Sequence, residues 1–330
     1  MPHVVPWREA MDSALYGAGG FFVRHAPADH FRTSATASPL FATAIATLVA
    51  RVDAALDRPD QLDVVDVGAG RGELLLGLAA TLPNEVRERA RFVAVERAER
   101  PDDLPEWVEW RGDPPREITG MLLATEWLDN VPLNVAEADD TGEPRQVLVD
   151  ARTGAETLGG AMAPEDAAWL KRWWPLTDPG ARAEVGATRD TAWVNAVRTV
   201  RRGVALAVDY GHVAQARPVG GTLAGYRDGR QVSPVPDGAR DLTAHVAFDA
   251  AAAAGEQAAG AASQLLDQRS ALRSLGVIGA RPSLELASED PRRYVRELAS
   301  ATQAAELIDR HGLGGHYWLV QPVRVAVPLG

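Results

Sequence analysis

The stretch Val64–Glu73, VVDVGAGRGE, decides how the rest of this 330-residue chain reads. Apolar Val64 and Val65 lead into Asp66, glycines follow at 68, 70 and 72, and Glu73 opens an apolar run, ELLLGLAATL. A buried strand that turns through glycines into a helix is the repeating unit of an α/β fold. Glycines accept positive φ and let the backbone come close to a ligand, while the N–H groups at the helix start face whatever is bound. A dinucleotide loop carries G-x-G-x-x-G, its third glycine packing the helix beside a pyrophosphate. Here the run is G-x-G-x-G, and Glu73 stands where that third glycine belongs.

Outward from the loop, hydrophobic patterning predicts strands at 63–67, 91–96, 107–111 and 119–125, a buried strand in GVALAVDYG (Gly203–Gly211), and a closing strand pair split by 284–310. LNVAEAD and EPRQVLVD flank Asp140-Thr141-Gly142 and predict a hairpin. Helices are expected over 164–174, 186–201 and the alanine-rich 243–259, with loop over 216–241. Ser38–Leu56 predicts a helix with Ser38 as N-cap and Pro39 at its first position. Trp169 and Trp173 sit at helical spacing, which reads as packing, and no repeat of 20–50 residues is visible.

Composition narrows the chemistry. There are no cysteines, which removes disulfides, thiolate metal sites and cysteine nucleophiles. Lys171 is the only lysine, so Schiff-base chemistry and a Walker loop have almost nowhere to sit. The net charge of -11 argues against nucleic acid as a partner and suits a cationic one. The start has no signal-like n- and h-regions, and no run approaches a membrane span, so a cytoplasmic protein without membrane contact is expected.

Asp66 followed by the three glycines, D-x-G-x-G-x-G, resembles motif I of class I S-adenosylmethionine methyltransferases. The resemblance implies that Asp66, Gly68, Ala69, Gly70 and Gly72 cradle the methionine half of S-adenosyl-L-methionine, with S-adenosyl-L-homocysteine as product. Glu96, ending FVAVE, can accept both ribose hydroxyls of any adenosine-type ligand. Asp113 in WRGDPP stands where the class often bonds the adenine amine. Four segments in order also resemble the MidA-like methyltransferases, whose eukaryotic members are mitochondrial complex I assembly factors with protein arginine methyltransferase activity. They are ALYGAGGFF with HFRTSATASPLF, the glycine loop, ATEWLDNVPLNV, and VALAVDYG with GTLAGYRDGR and DLTAHVAF. The chain departs from that family at Thr125, commonly Asn, at Asn130, commonly Ala, and at Ala42, commonly Gly; the first two lie beside the expected substrate pocket.

The fold implied is α/β: a Rossmann-like, seven-stranded class I methyltransferase sheet with an N-terminal helical lid and insertions. The lid is expected over 1–56 and the core over 57–330, with insertions at about 131–190 and 212–242 covering the substrate. Glu126 and Asp129 follow the fourth core strand, at the carboxyl edge where α/β proteins bind ligands. Their i, i+3 spacing lets both face one pocket, where they would orient a guanidinium and take its proton. Glu126 is also a cofactor candidate. Asp209 and Tyr210 end the fifth strand on the same edge, and His245 is placed in the first helical turn of 243–259 as a base, or equally as a structural histidine. Tyr16, Phe22, Thr33, Ser34, Ser38 and Pro39 are candidates for a cover over the cofactor, with Ser38 the one expected to touch it. No histidine shows metal-ligand spacing.

N-methylation of arginine in a protein or peptide is the expected activity. A small-molecule N- or O-methyltransferase, a SAM-binding assembly factor without catalysis and a nicotinamide oxidoreductase are the alternatives. Glu73 and the lack of a Ser/Tyr/Lys set disfavour the last. A homodimer is also expected.

Overall fold

The computed structural model describes residues 4–24 and 33–326; His30 and Phe31, which open the segment HFRTSATASPLF quoted above, lie outside them. The core is a seven-stranded sheet of β1 (Leu62–Val67), β2 (Ala90–Val95), β3 (Val108–Arg111), β4 (Ile118–Thr125), β5 (Val200–Asp209), β6 (Gln264–Asp267) and β7 (Tyr317–Val323), in the spatial order β6-β7-β5-β4-β1-β2-β3. The first five strands are parallel. β7 runs antiparallel to both β5 and β6. The expected α/β seven-stranded sheet is therefore present, and β7 starts at the edge where β4 and β5 end.

Alternation along the strands divides the core. Val64, Phe92, Met121, Leu123, Leu206 and Val208 face one layer, which contains the helix Pro39–Ala55 with Phe41, Ile45, Leu48 and Val52 fully buried. Val65, Val93, Leu122, Ala205 and Ala207 face the other, which holds Trp193, Val197, Phe248 and Ala251 from helices Ala187–Thr199 and Phe248–Ala259. A parallel sheet buried on both faces needs this apolar continuity. Ser38 caps Pro39–Ala55 as expected, its hydroxyl accepting from the Leu40 N–H.

The segment between β4 and β5 builds a second, five-stranded sheet, in which Asn134–Ala138 and Pro144–Asp150 form the expected hairpin, with Glu156–Ala161 and Arg182–Val185 alongside. Its remaining strand is N-terminal: Val4–Pro6 pairs antiparallel with Pro144–Asp150. Helix Trp7–Tyr16 lays Trp7, Met11 and Leu15 against Leu133, Val135 and Val149 of that sheet. The N-terminal segment thus packs in two halves, 4–16 on the insertion and Pro39–Ala55 on the core.

Two readings need correction. The loop expected over 216–241 contains strands Ala224–Arg227 and Arg230–Val232, which pair with each other, and the first of them also pairs with Asp241–Thr243. The alanine-rich helix starts at Phe248, not at 243. Thr243 is paired with Ala224, and Val246 and Ala247 with Gly211 and His212, so tertiary strand pairing takes the backbone that helix propensity would have claimed. His245 therefore sits between two short strands and not in a first helical turn.

Candidate active site

At the end of β1 the loop adopts the geometry its glycines allow: φ is +74° at Gly68, +57° at Gly70 and +88° at Gly72. A Cβ at Gly68 would lie 3.0 Å from the Trp127 ring, so a side chain there would fill the cradle. Glu73 begins helix Glu73–Thr81, and its carboxylate accepts from the Arg71 N–H at 2.9 Å. Glu96, just past β2, reaches back to accept from Gly70 N–H at 3.2 Å and from Arg97 N–H at 2.6 Å. Asp66 is buried, and that burial, with the charges of Glu73 and Glu96, pushes its pKa up to about 8.

Two cavities meet here. The larger, of ≈ 420 Å³, is lined by Gly68, Glu96, Arg97, Asp113, Glu126 and Trp127 among others. The smaller, of ≈ 60 Å³, is lined by Thr33, Thr36, Asp66, Ala69, Gly70, Glu73, Thr125 and Glu126. Gly68 and Glu126 line both. The pair fits a ligand with an adenosine-sized half and a small polar half bearing positive charge. A diphosphate in the smaller half would instead face Asp66, Glu73 and Glu126 at close quarters.

The cover comes from the N-terminal segment. Tyr16 and Phe22 line the larger cavity, their rings 5.6 Å apart. The Arg97 guanidinium lies 4.5 Å over the Tyr16 ring, and the Tyr16 hydroxyl donates to the Asn130 carbonyl at 3.3 Å. Ser34 holds the other side through its N–H, which donates to Glu126 Oε1 at 2.6 Å. Ser38 lines neither cavity; it is 2 % exposed, and its hydroxyl caps Leu40 and donates to Gln303.

The carboxyl edge of β4 and β5 carries the acids. Glu126 adopts φ +50°, uncommon for a side chain of its size and typical of sites held in strain by their surroundings. Burial, reinforced by the Asp129 charge, raises its pKa to about 7. Asp129 is in the short helical turn Leu128–Asn130, facing away from both cavities' linings. One of its oxygens accepts from the Tyr210 and Thr243 hydroxyls, while Oδ1 is buried without a partner. The i, i+3 spacing has thus not brought Asp129 to the cavity wall beside Glu126. Asp209 is fully buried, accepting the N–H groups of Asp129 and Tyr210, and burial plus the Asp129 and Glu126 charges hold its pKa well above the usual range. Arg189, 1 % exposed, donates to the carbonyls of Asp129, Val131, Ala244 and His245 and so ties the turn to the 241–247 segment.

Histidines surround Tyr210. The exposed His245 packs its ring 5.1 Å from the Tyr210 ring, and the buried His316 packs at 5.5 Å. His316 Nδ1 is 4.0 Å from Glu126 Oε1 and 3.5 Å from the Ser34 hydroxyl. Burial pushes the His316 pKa down to about 4, keeping the ring neutral. His212 is occupied structurally, by Arg217 at 2.7 Å and the Trp174 ring at 4.6 Å. Among the described residues no group of three His, Asp or Glu side chains forms a metal site.

Residues 44–266 match the model of a family described as "Putative S-adenosyl-L-methionine-dependent methyltransferase". The chain belongs to this family. S-adenosyl-L-methionine is accordingly the methyltransferase's cofactor, and the glycine cradle, the acids and the paired cavities fit it. No curated protein matches the chain. A Burkholderia thailandensis protein crystallised with S-adenosyl-homocysteine has a TM-score of 0.79 to it at 24% identity, covering 98% of this chain and 89% of the other. A native structure of an uncharacterized protein from the same organism has a TM-score of 0.77 at 23% identity, covering 99% and 89%. These likenesses establish the fold of the whole methyltransferase.

Of the residues picked out by sequence, Asp66, Gly68, Ala69, Gly70, Glu96, Asp113 and Glu126 line the two cavities. Gly72 shapes the turn behind them, while Asp129, Asp209 and His245 gather on Tyr210 a step further along the edge. Sequence reasoning missed Trp127 and His316. The available signal for His316 was its place before an antiparallel last strand, since Tyr317 pairs with Asp209.

Proposed function

We propose that this methyltransferase N-methylates arginine side chains in a protein or peptide, and that it belongs to the MidA-like branch of its family. The four ordered segments quoted above support the branch. The observation that carries the activity is Glu126: a largely but not fully buried carboxyl at the junction of the two cavities, beside the buried acids Asp129 and Asp209. A cationic acceptor offsets the cost of ionising such a group, where a neutral one does not.

S-adenosyl-L-methionine supplies a methyl group on a sulfonium, ready for in-line displacement. Asp66, Glu96 and Asp113, with the loop glycines, bind and fix the donor. Glu126 orients the acceptor nitrogen toward the methyl and, as a group titrating near neutrality, receives the proton that nitrogen gives up. Asp129 and Asp209 keep the turn that follows Glu126 in place through their hydrogen bonds. Residues of the N-terminal segment and of the insertion cover the site and exclude water.

The test is transfer of radiolabelled methyl from S-adenosyl-L-methionine into proteins and small molecules of a host-cell extract, followed by hydrolysis to amino acids. Label in methylarginine, absent with Gly70→Arg, is the expected result. Label confined to the small-molecule fraction overturns the protein acceptor, and unchanged transfer by Gly70→Arg overturns the loop assignment.

A further inference from the structure

A further hollow of ≈ 560 Å³, larger than the donor cavity of ≈ 420 Å³, lies where the N-terminal segment joins the insertion. Its origin is a parting of strands. Asn134–Ala138 and Val4–Pro6 both pair with Pro144–Asp150, the first at 144–146 and the second at 148–150, while Glu156–Ala161 pairs along 145–149. A strand has two hydrogen-bonding edges, so the first two share one edge and part between Gln146 and Leu148. Pro6, Asn134 and Gln146 line the notch left there, and helices Trp7–Tyr16 and Ala187–Thr199 flank it with Asp12 and Thr191. Val131, Pro132, Ala192 and Asn195 line both this groove and the donor cavity, so the two adjoin along those residues.

The groove is lined with amides that have nothing to bond. Among the described residues the side-chain amides of Gln146 and Asn195 make no hydrogen bond. Asn134 donates to Asp166 at 2.8 Å, but its Oδ1 is buried without a partner. Each such amide carries both a donor and an acceptor, the complement of a peptide unit. The charged groups on the rim, Arg8, Glu9 and Asp12, are exposed and of mixed sign, so they set no strong preference for charge. The apolar lining, Pro6, Val131, Pro132 and Ala192, is too small to seat the face of an amphipathic helix. An extended main chain fits this chemistry, because its N–H and C=O groups need partners once taken from water.

We propose that this groove binds an extended polypeptide segment by its main chain, and that the methyl acceptor lies in it while one side chain reaches past Val131 and Pro132 into the donor cavity. This rests on the reading of the chain as acting on a polypeptide. The acceptor is then a tail or an unfolded loop, since a residue fixed in a helix or sheet has already committed its main-chain groups.

Two blocked nine-residue peptides of glycine and serine, one with arginine and one with norleucine at the centre, are titrated into the full chain saturated with S-adenosyl-L-homocysteine. Side-chain amide NMR gives location and calorimetry gives affinity. Both peptides are expected to shift the Gln146 and Asn195 amide signals. Acetylarginine amide, which has the side chain without the extended main chain, is expected to leave them in place. Gln146→Ala should weaken both peptides roughly five-fold, and Thr191→Trp, which fills the groove, should abolish their binding. Neither residue lines the donor cavities, so unchanged S-adenosyl-L-homocysteine affinity shows that each variant is folded. Unmoved amide signals with either peptide, equal shifts with acetylarginine amide, or full peptide affinity in Thr191→Trp overturns the groove. The radiolabel experiment fails separately: methylarginine in protein without these shifts removes only the groove. With label confined to small molecules, the same shifts remove the protein acceptor and leave the groove as a peptide site.

Discussion

Glu126 is the residue on which charge, geometry and chemistry converge. Its pKa of about 7 in the folded chain stands above the value of roughly 4.3 expected when unfolded. Between those two values the folded state holds a proton that the unfolded state has lost, so the group's stabilising contribution is complete below the lower pKa. It fades as pH rises through the upper one. Glu126→Gln, which keeps an oxygen for the Ser34 N–H, is expected to raise the melting temperature at pH 8 and to leave it nearly unchanged at pH 4. The gain is of order 3 kcal/mol, from about two and a half pKa units, and urea unfolding at the two pH values checks it. Methyl transfer should behave oppositely, rising through pH 7 in the wild type and remaining low at every pH in the variant. At this scale the sequence was most informative where a side chain sits at the end of a parallel strand, as Glu96 and Glu126 do. It offered Ser34 only as one of six cover residues and was silent on His316, whose roles depend on a short helix and an antiparallel strand meeting an edge formed elsewhere.

Among the elements, the tightest constraint lies at the register Asp63–Gly120–Gly203 across β1, β4 and β5. A Cβ at Gly203 would fall 1.9 Å from the Gly120 carbonyl oxygen, and one at Gly120 would fall 2.1 Å from that of Asp63. Both residues have φ near +150°. Gly203→Ala is therefore expected to cost about 3 kcal/mol or more, seen as a lower urea midpoint with an unchanged slope. Ser38→Ala removes an N-cap and should cost about 1 kcal/mol, with no change in S-adenosyl-L-methionine affinity by calorimetry, because the hydroxyl serves the helix and Gln303. Long, apolar elements such as Pro39–Ala55 and β5 were legible from pattern alone. Short strands were not: Arg182–Val185 and Asp241–Thr243 contain too few residues for a period to show, and their partners are not adjacent in sequence. The alanine-rich segment misled for the same reason, its first residues being claimed by pairing.

For the whole molecule, the telling feature is that one end of the chain completes a sheet belonging to its middle. Val5 is 8 % exposed and pairs with Val149, above the apolar contacts of Trp7 and Met11. Val5→Asp places a carboxylate there and is expected to destabilise the fold by about 2 kcal/mol. Because helix Trp7–Tyr16 ends on a residue of the cofactor cavity, the same change should weaken S-adenosyl-L-homocysteine roughly ten-fold without touching the glycine loop. Calorimetry beside urea unfolding separates the two effects. No helix among the described residues is long and apolar enough to cross a membrane.

That pairing also sets a timetable. At roughly 5–20 residues per second, Val149 follows Val5 out of the ribosome by about 7 to 30 seconds. Through that interval Trp7, Met11 and Leu15 present an apolar stripe with nothing to cover it, since Leu133, Val135 and Val149 have not been made. Helix Trp7–Tyr16 is thus made well before the surface that seats it, and its apolar stripe stays open to transient, non-native contacts until the 133–149 segment has been translated.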